Sequence, residues 1–572
     1  MVMDVAGALT VDGLFALNAG GTGVTGNIEL NLSNASVNFN GGLTMANVGS
    51  TGLANVSFDG GSATTVAGTI DGDADNEGTI HVDTSSNAAV TFTGAIGATN
   101  DLLLIDIDET TIFNSSVATK GMTIIASHDA TFKGDVTLGS TKATVSGEMS
   151  LAGTSAQTVT GAIEDGKIDI ENTAGLVTFS GALGVGTIVD EIQSDASTEA
   201  KFSDVIDTTL AHISGQITLT QDDNTATEVD LETTGTIIID DTVTTGQTLF
   251  LASSTTADGD IAGTGNVKMP GNLLDGETII FAVIDDNDTL NAALVTDLET
   301  AVLDTALRTY TVSGNTTDET LIITAADNSG TAVGSNLKIT SNAGTAMVQL
   351  GIAVEGDATA LDALQNSLNS EGGFTASVDA KNLALQAAPQ TDLISGSSVA
   401  AQGVTGSLQG IMSNRMASLR SGDAYYGTGV AAGGMSAKSG FIQAFGSVAE
   451  QESTTVGTGT QAGFDADTQG IAIGFDGVSD NGMTIGVSVA TANTDVDGKG
   501  LGKSTNTIDT YSASIYMDAA TDAGYVEGSL TYGINENTTS RKSSSAGLAR
   551  TLTGSYDSQS LSLNLSAGAP RE

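Results

Sequence analysis

VTGSLQGIMSNRMASLRSG, residues 404–422, followed at 439–445 by SGFIQAF, divides the chain into two parts of different texture. Val404, Leu408, Ile411, Met412, Met416 and Leu419 recur at three- and four-residue steps, the period of an amphipathic helix. Gly403, Gly406 and Gly410 lie inside that pattern. Each costs a helix about 1 kcal/mol relative to Ala, so this helix needs an enclosing wall. Upstream runs a long Thr/Gly/Asp-rich region that reads as strands. Downstream come short segments of alternating character.

Six downstream segments alternate apolar with polar or small residues, at about 438–449, 468–476, 482–492, 506–518, 523–533 and 556–566. Ile471, Ile473 and Phe475 share one face, and Gly470, Ala472 and Gly474 the other. Met483, Ile485, Val487 and Val489 oppose Thr484, Gly486, Ser488 and Ala490; Leu561, Leu563 and Leu565 oppose Ser560, Ser562 and Asn564. A half-buried soluble sheet gives the same pattern. Six such segments beside a glycine-weakened helix favour membrane strands, apolar face to lipid. Arg415 and Arg420 on the helix cannot face hydrocarbon, because an Arg at the bilayer midplane costs about 2–4 kcal/mol. They are expected to point into the lumen toward carboxylates. Val526, Leu530 and Tyr532 read as lipid-facing, which turns Glu527 inward as the expected partner of Arg415. The helix glycines are expected to let it approach Gly470, Ala472 and Gly474 on the lumen face.

Asn414-Arg415-Met416-Ala417-Ser418-Leu419-Arg420, then Gly440-Phe441-Ile442-Gln443-Ala444-Phe445-Gly446, resembles the junction of bacterial autotransporters (type V secretion). The similarity continues through Gly463-Phe464-Asp465-Ala466-Asp467, Gly470-Ile471-Ala472-Ile473-Gly474-Phe475-Asp476 and Tyr525-Val526-Glu527-Gly528. It covers residues from about 395 to 572 and rests on the ordered set. The resemblance implies an outer-membrane barrel, a linker helix threading its pore, and a secreted passenger. It also implies outer-membrane lipid and the barrel-assembly machinery as partners. Some family members cleave themselves at paired asparagines in the linker helix. Gly410 and Ile411 occupy the comparable place here, so the resemblance does not carry that reaction over. The family's barrel has twelve strands and a terminal aromatic residue. Six strands ending in Ala569-Pro570-Arg571-Glu572, and a start at Met1-Val2-Met3-Asp4 with no secretory leader, lead to the expectation of a chain truncated at both ends. Residues 437–572 would then be half a barrel, unable to insert as a closed pore.

The upstream region repeats itself. Val37-Asn38-Phe39-Asn40-Gly41, Val90-Thr91-Phe92-Thr93-Gly94, Ala130-Thr131-Phe132-Lys133-Gly134, Val159-Thr160-Gly161 and Val177-Thr178-Phe179-Ser180-Gly181 are variants of one phrase. Phe58, Phe113 and Phe202 extend the series, at steps of about 20 residues. A single coil of this length cannot bury its own apolar face; stacked coils can. The fold class expected is therefore all-β: a parallel β-solenoid over 1–290, a short linker helix at 391–422, and a partial antiparallel barrel. A series of β-sandwiches is the competing architecture. Phe39, Phe92, Phe132 and Phe179 are expected to point inward. Helical spacing at 290–298 and 360–368, with a strand pair at Thr309–Val312 and Leu321–Thr324 between, assigns 291–390 to a cap and junction.

The net charge of −50, with 18 Lys+Arg against 68 Asp+Glu, excludes nucleic acid as a partner, because phosphate contacts need clustered cations. There is no Cys, so no disulfide framework exists. Asp71-Gly72-Asp73-Ala74-Asp75-Asn76-Glu77 has the spacing that begins a calcium loop, but Asn76 stands where Gly is needed and Val82 where Glu is. It reads as a solvated acidic turn, as do Asp222-Asp223-Asn224 and Asp285-Asp286-Asn287-Asp288. Gly502-Lys503-Ser504 lacks the first glycine of a phosphate loop and reads as a barrel loop. No Gly-x-Ser-x-Gly elbow occurs, and His81, His128 and His212 have no metal-ligand spacing. The sequence therefore offers no catalytic residues, no metal site and no cofactor. The expected role is export and surface display of the solenoid for adhesion to an unknown surface or cell ligand. The alternatives are a secreted hydrolase passenger and a structural surface-layer protein.

Overall fold

The computed structural model describes residues 2–569 other than 6, 20–26, 34–35, 48–51, 85–87, 140, 252–260, 263–264, 284–291, 316–318, 338, 340, 355–363, 365–367, 369–383, 385–390, 422–437, 457–458, 480–481, 522 and 544–549. The chain divides into two compact units, Met1–Asp327 and Asn328–Glu572.

In the first unit, Val/Ile/Phe residues two apart fall on one side of short strands, and Thr or Asp between them faces out. Val90, Phe92, Val177 and Phe179 are buried in this way, with Thr91 and Thr178 turned outward. Strands this short cannot stand alone, so the chain winds. Leu104–Ile107, Thr111–Phe113 and Val117–Thr119 visit three sheets in turn. Met122–Ile124 then returns to the first sheet, parallel to Ile105–Ile107. Stacking such coils buries one continuous core from Leu17 to Ala325. The architecture is a parallel β-solenoid, and Phe39, Phe92, Phe132 and Phe179 are all buried in it.

Coil length is less regular than a 20-residue period. Phe92, Phe113 and Phe132 are true rung neighbours, paired in register with rings stacked 5.2 and 4.8 Å apart. Phe39 and Phe58, about as far apart in sequence, are not. Phe39 follows Val37, which pairs with Val66, whereas Phe58 pairs with Leu32 and Val82 on another sheet. Phe179 and Phe202 stack on a third sheet, separate from the one holding Phe92. The repeated phrase marks an inward ring followed by a turn; it does not say which face the ring belongs to.

The parallel ladder ends at Thr278–Val283, which pairs antiparallel with Thr320–Asp327. That strand pairs in turn with Arg308–Asn315, matching Thr311 with Thr324 and Val312 with Ile323. The expected strand pair is thus part of the compact unit that runs to Asp327. The helix Ala292–Ala301 overlaps the span expected to be helical at 290–298 and runs three residues beyond it. Of the second expected helix only Leu364 and Leu368 are described, and Asp285–Asp288 lie outside the described residues. In the acidic turn, Asp71 accepts from the Thr99 amide (2.9 Å) and Glu77 from the Ala74 amide (3.2 Å).

Imidazole–carboxylate contacts link neighbouring coils. His81 pairs in register with Asp106, Nδ1 to Oδ2 3.1 Å. The hydrogen bond to Asp106 raises the His81 pKa above its ordinary 6.5 against a partial loss from burial, and Asp108 and Glu29 add to the rise. The same hydrogen bond lowers Asp106 below 3.8. A raised histidine contributes stability that is complete below the unfolded pKa and lost as pH rises through the folded one; the lowered Asp106 contribution is lost only as pH falls through its own value. His81→Gln is therefore expected to lower the solenoid's melting temperature more near pH 5 than near pH 9, where only the neutral imidazole's hydrogen bond to Asp106 is lost. Thermal melts of both proteins across that range check this; a pH-independent difference would contradict it.

The second unit holds a six-stranded antiparallel sheet: Lys438–Gln451, Phe464–Val478, Met483–Gly498, Thr505–Thr521, Gly524–Ser543 and Arg550–Gly568, each paired with the next. Among the described residues the first and sixth strands are its edges. The small hairpin Thr454–Val456/Gly459–Gln461 lies between the first two strands. Strict alternation puts Phe475, Val487, Val489, Leu561 and Leu563 outside. Inside, polar pairs lie together across strands: Thr468–Thr494, Thr510–Asn535 and Ser514–Thr531 at 2.8–2.9 Å. Among the described residues no helix is long and apolar enough to cross a membrane.

Candidate functional site: the linker helix and the inner sheet face

The linker helix spans Thr391–Ser421 and lies on the inner face of the sheet. Its period-3.6 stripe explains the placement. Val404, Leu408, Ile411, Met412 and Met416 are buried against Ala472, Ala492 and Tyr516, with Phe441 and Phe445 packed on the same cluster. Nearer the helix start, Ala400 packs with Phe464, Ala466, Val496 and Ile508.

The glycines act differently from the expectation. Ala472 touches the helix cluster directly, but Gly470 is covered by the Phe445 ring and Gly474 by the Phe441 ring. A Cβ at either position would collide with those rings. On the helix, a Cβ on Gly403 would meet Ser447 Oγ at 3.1 Å, while Gly406 and Gly410 have no atom within 4 Å of such a Cβ. Close approach therefore occurs at Gly403, and at Gly396, where a Cβ would collide with Val496 and touch Phe464. The wall glycines are seats for wall aromatics rather than for the helix.

Both arginines find carboxylates, but not the expected combination. Arg415 grips Asp476 with two nitrogens, Nε to Oδ2 2.8 Å and an Nη to Oδ1 3.1 Å. The same guanidinium donates to Ser439 Oγ at 2.6 Å and sits 5.6 Å from the Phe441 ring centroid. Ser439 and Tyr516 both donate to Asp476, at 2.5 and 2.9 Å. Tyr516 reaches Asp476 across the intervening strand because Gly486 lies between them in the ladder; a side chain at Gly486 would occupy the ring's place. Glu527 is bound by Arg420 at 2.9 Å and by the Ser413 hydroxyl at 2.5 Å. Arg420 also bonds Asp518, the register partner of Glu527, and lies 3.8 Å from the Tyr525 centroid. The Arg415–Glu527 pair is thus replaced by Arg415–Asp476 and Arg420–Asp518/Glu527. Asp476 and Asp518 are the functional residues the sequence reading left out.

The helix start is held as well. Asp392 is buried and accepts from the Gly500 amide (3.3 Å) and the Ser504 hydroxyl (3.1 Å) in the connection between the third and fourth strands. A carboxylate in a helix's first turn also complements the helix dipole. Gly502-Lys503-Ser504 is therefore part of a loop that secures the helix. Asn506 donates to Ser397 at 2.7 Å and Gln409 to Ser562 at 2.5 Å. Asp392 lies beside the connection between the third and fourth strands, and Arg415 and Arg420 near the other end of the strands, at Asp476, Asp518 and Glu527. The helix therefore runs the height of the sheet.

Residues 440–571 match the family described as autotransporter beta-domain. No curated protein and no solved structure matches the chain. The family places the six strands in an outer-membrane barrel with lipid on its apolar face, and it assigns barrel-domain export of a passenger to the extracellular side. Residues 440–571 thus form an autotransporter beta-domain, an outer-membrane barrel domain, and the parallel solenoid upstream of it is consistent with the extracellular passenger such a domain exports.

Proposed function

We propose that the displayed solenoid is a non-enzymatic adhesive passenger, inserted with its barrel by the outer-membrane assembly machinery and engaging a surface or cell ligand. The reading is carried by the solenoid's exterior: Thr, Asp, Asn and Ser repeat on stacked rungs, so one chemical pattern recurs along a sheet. Asp106, Thr123 and Thr144 form one such register line, as do Thr158, Thr178, Lys201 and Thr218. Repetition suits multivalent contact with a repetitive surface, where weak contacts add.

The test uses cells expressing the full-length gene. Protease added to intact cells is expected to shave the solenoid. Adherence to a panel of glycan- and protein-coated surfaces, and cell–cell settling, should exceed that of cells carrying the beta-domain alone. Turnover of ester or peptide substrates by the shaved passenger, or equal adherence without it, would overturn the proposal.

A further inference from the structure

We propose that His212, with Glu232 and Asp230 of the next coil, forms a binding site for a divalent transition cation of the Zn²⁺ class on the solenoid surface. Asp230 is the register partner of His212 on the neighbouring parallel strand. Its Oδ2 lies 3.2 Å from Nδ1, which places the ring proton on Nδ1 and leaves the Nε2 lone pair free. Glu232 Oε1 faces Nε2 at 4.0 Å, too far for a hydrogen bond. Two ligands each about 2.0–2.2 Å from Zn²⁺ lie about 3.4 Å apart in tetrahedral geometry. Closing the difference takes a small swing of Glu232, whose side chain is half exposed. Nε2 and Glu232 are thus the protein ligands, Asp230 holds the ring in place from Nδ1, the three groups lie within one short span, and water completes the coordination.

The surroundings favour a cation. Asp195, hydrogen-bonded to Gln193, belongs to the preceding coil, where Gln193 pairs in register with His212. Asp195 and Glu232 line one surface cleft with Ser214 and Thr234. Among the described residues no Lys or Arg ion-pairs with Asp230 or Glu232. The other histidines lack this arrangement: His81 and His128 each meet a carboxylate at Nδ1 only. An imidazole with carboxylates suits Zn²⁺, Ni²⁺ or Cu²⁺, whereas Ca²⁺ takes oxygen ligands alone.

Calorimetric titration of the full chain in detergent with ZnCl₂ tests the site. His212→Ala and Glu232→Gln are each expected to weaken the tightest Zn²⁺ event at least about tenfold, and Asp230→Asn by about 10–100-fold. His81→Ala should leave it unchanged. A second readout needs no variant: Zn²⁺ should slow diethyl pyrocarbonate modification of His212 in the unaltered chain, and Ca²⁺ should not. Equal loss with His81→Ala, undiminished binding with His212→Ala, or equal protection by Ca²⁺ would overturn the assignment.

Discussion

Arg420→Met is expected to release the lower end of the linker helix from the sheet and to reduce surface display of the passenger more than tenfold. Asp518 and Glu527 face each other across the fourth and fifth strands, both almost fully buried, and Arg420 is the cation between them. Removing one partner of a buried pair costs about 3–5 kcal/mol, because a charge is left buried and unpaired. Here two like charges are left. Methionine keeps most of the packing volume, so the loss reports charge rather than a cavity. Arg420→Lys should recover part of the display, since an ammonium supplies charge without the planar fork. Arg420→Met combined with Asp518→Asn and Glu527→Gln should recover more, because the uncompensated charges go with the cation. Protease shaving of intact cells reads the display, and heat-modifiability on gels reads the barrel. Display undiminished in Arg420→Met would show that the ion cluster does not hold the helix. The matching exchange for Arg415 pairs Arg415→Asp with Asp476→Arg.

Much of this site was legible. The 3.6 period of Val404 to Leu419 gave the helix face that is buried, and the period of two gave the lumen face of each strand. The same parity that turned Gly470, Ala472 and Gly474 inward also turns Asp476 inward. An inward carboxylate at membrane depth calls for a cation, so Asp476 was available as a partner. Asp518 and Glu527 lie on consecutive antiparallel strands, and the register alone sets them side by side. Two adjacent carboxylates compete for one arginine, leaving the other arginine for Asp476. What parity could not give was the identity of the groups filling the glycine seats. Phe441 and Phe445 lie on the inner face, where a polar lining was the simpler expectation, and they take the space beside Gly474 and Gly470.

The solenoid shows a different limit. Its fold class followed from repeated Val-Thr-Phe phrases and turn glycines. Its face assignments did not, because turn lengths vary and each insertion shifts the next strand's place in the circuit. Ile105, Met122, Ala143 and Ile163 are rung partners on one sheet at unequal spacings. The His212 cluster illustrates the consequence. Its groups lie on neighbouring coils, with His212 and Asp230 on one register line, so no local spacing motif announces them.

Phe113→Ala is expected to destabilise the solenoid by about 3–5 kcal/mol, the range for truncating a buried aromatic. Phe113 is 1% exposed and stacks between Phe92 and Phe132 with interplanar angles of 7° and 10°. All three rings hang from strands locked in one parallel ladder. The ladder fixes the spacing of the flanking rings, so the void cannot close without breaking backbone hydrogen bonds on both sides. In a solenoid each coil is stabilised mainly by its neighbours, so the damage should be local first. Hydrogen exchange is expected to accelerate in residues 90–92, 111–113 and 130–132 before it does in 216–219 or 236–239. Phe113→Leu, which keeps most of the volume, should cost clearly less. Phe15→Ala should also cost less, because Phe15 stacks with Phe39 alone and is only partly buried. Urea midpoints of the three variants rank the effects. Equal losses at Phe15 and Phe113, or exchange that rises uniformly along the unit, would show that the aromatic stack is not the local source of stability.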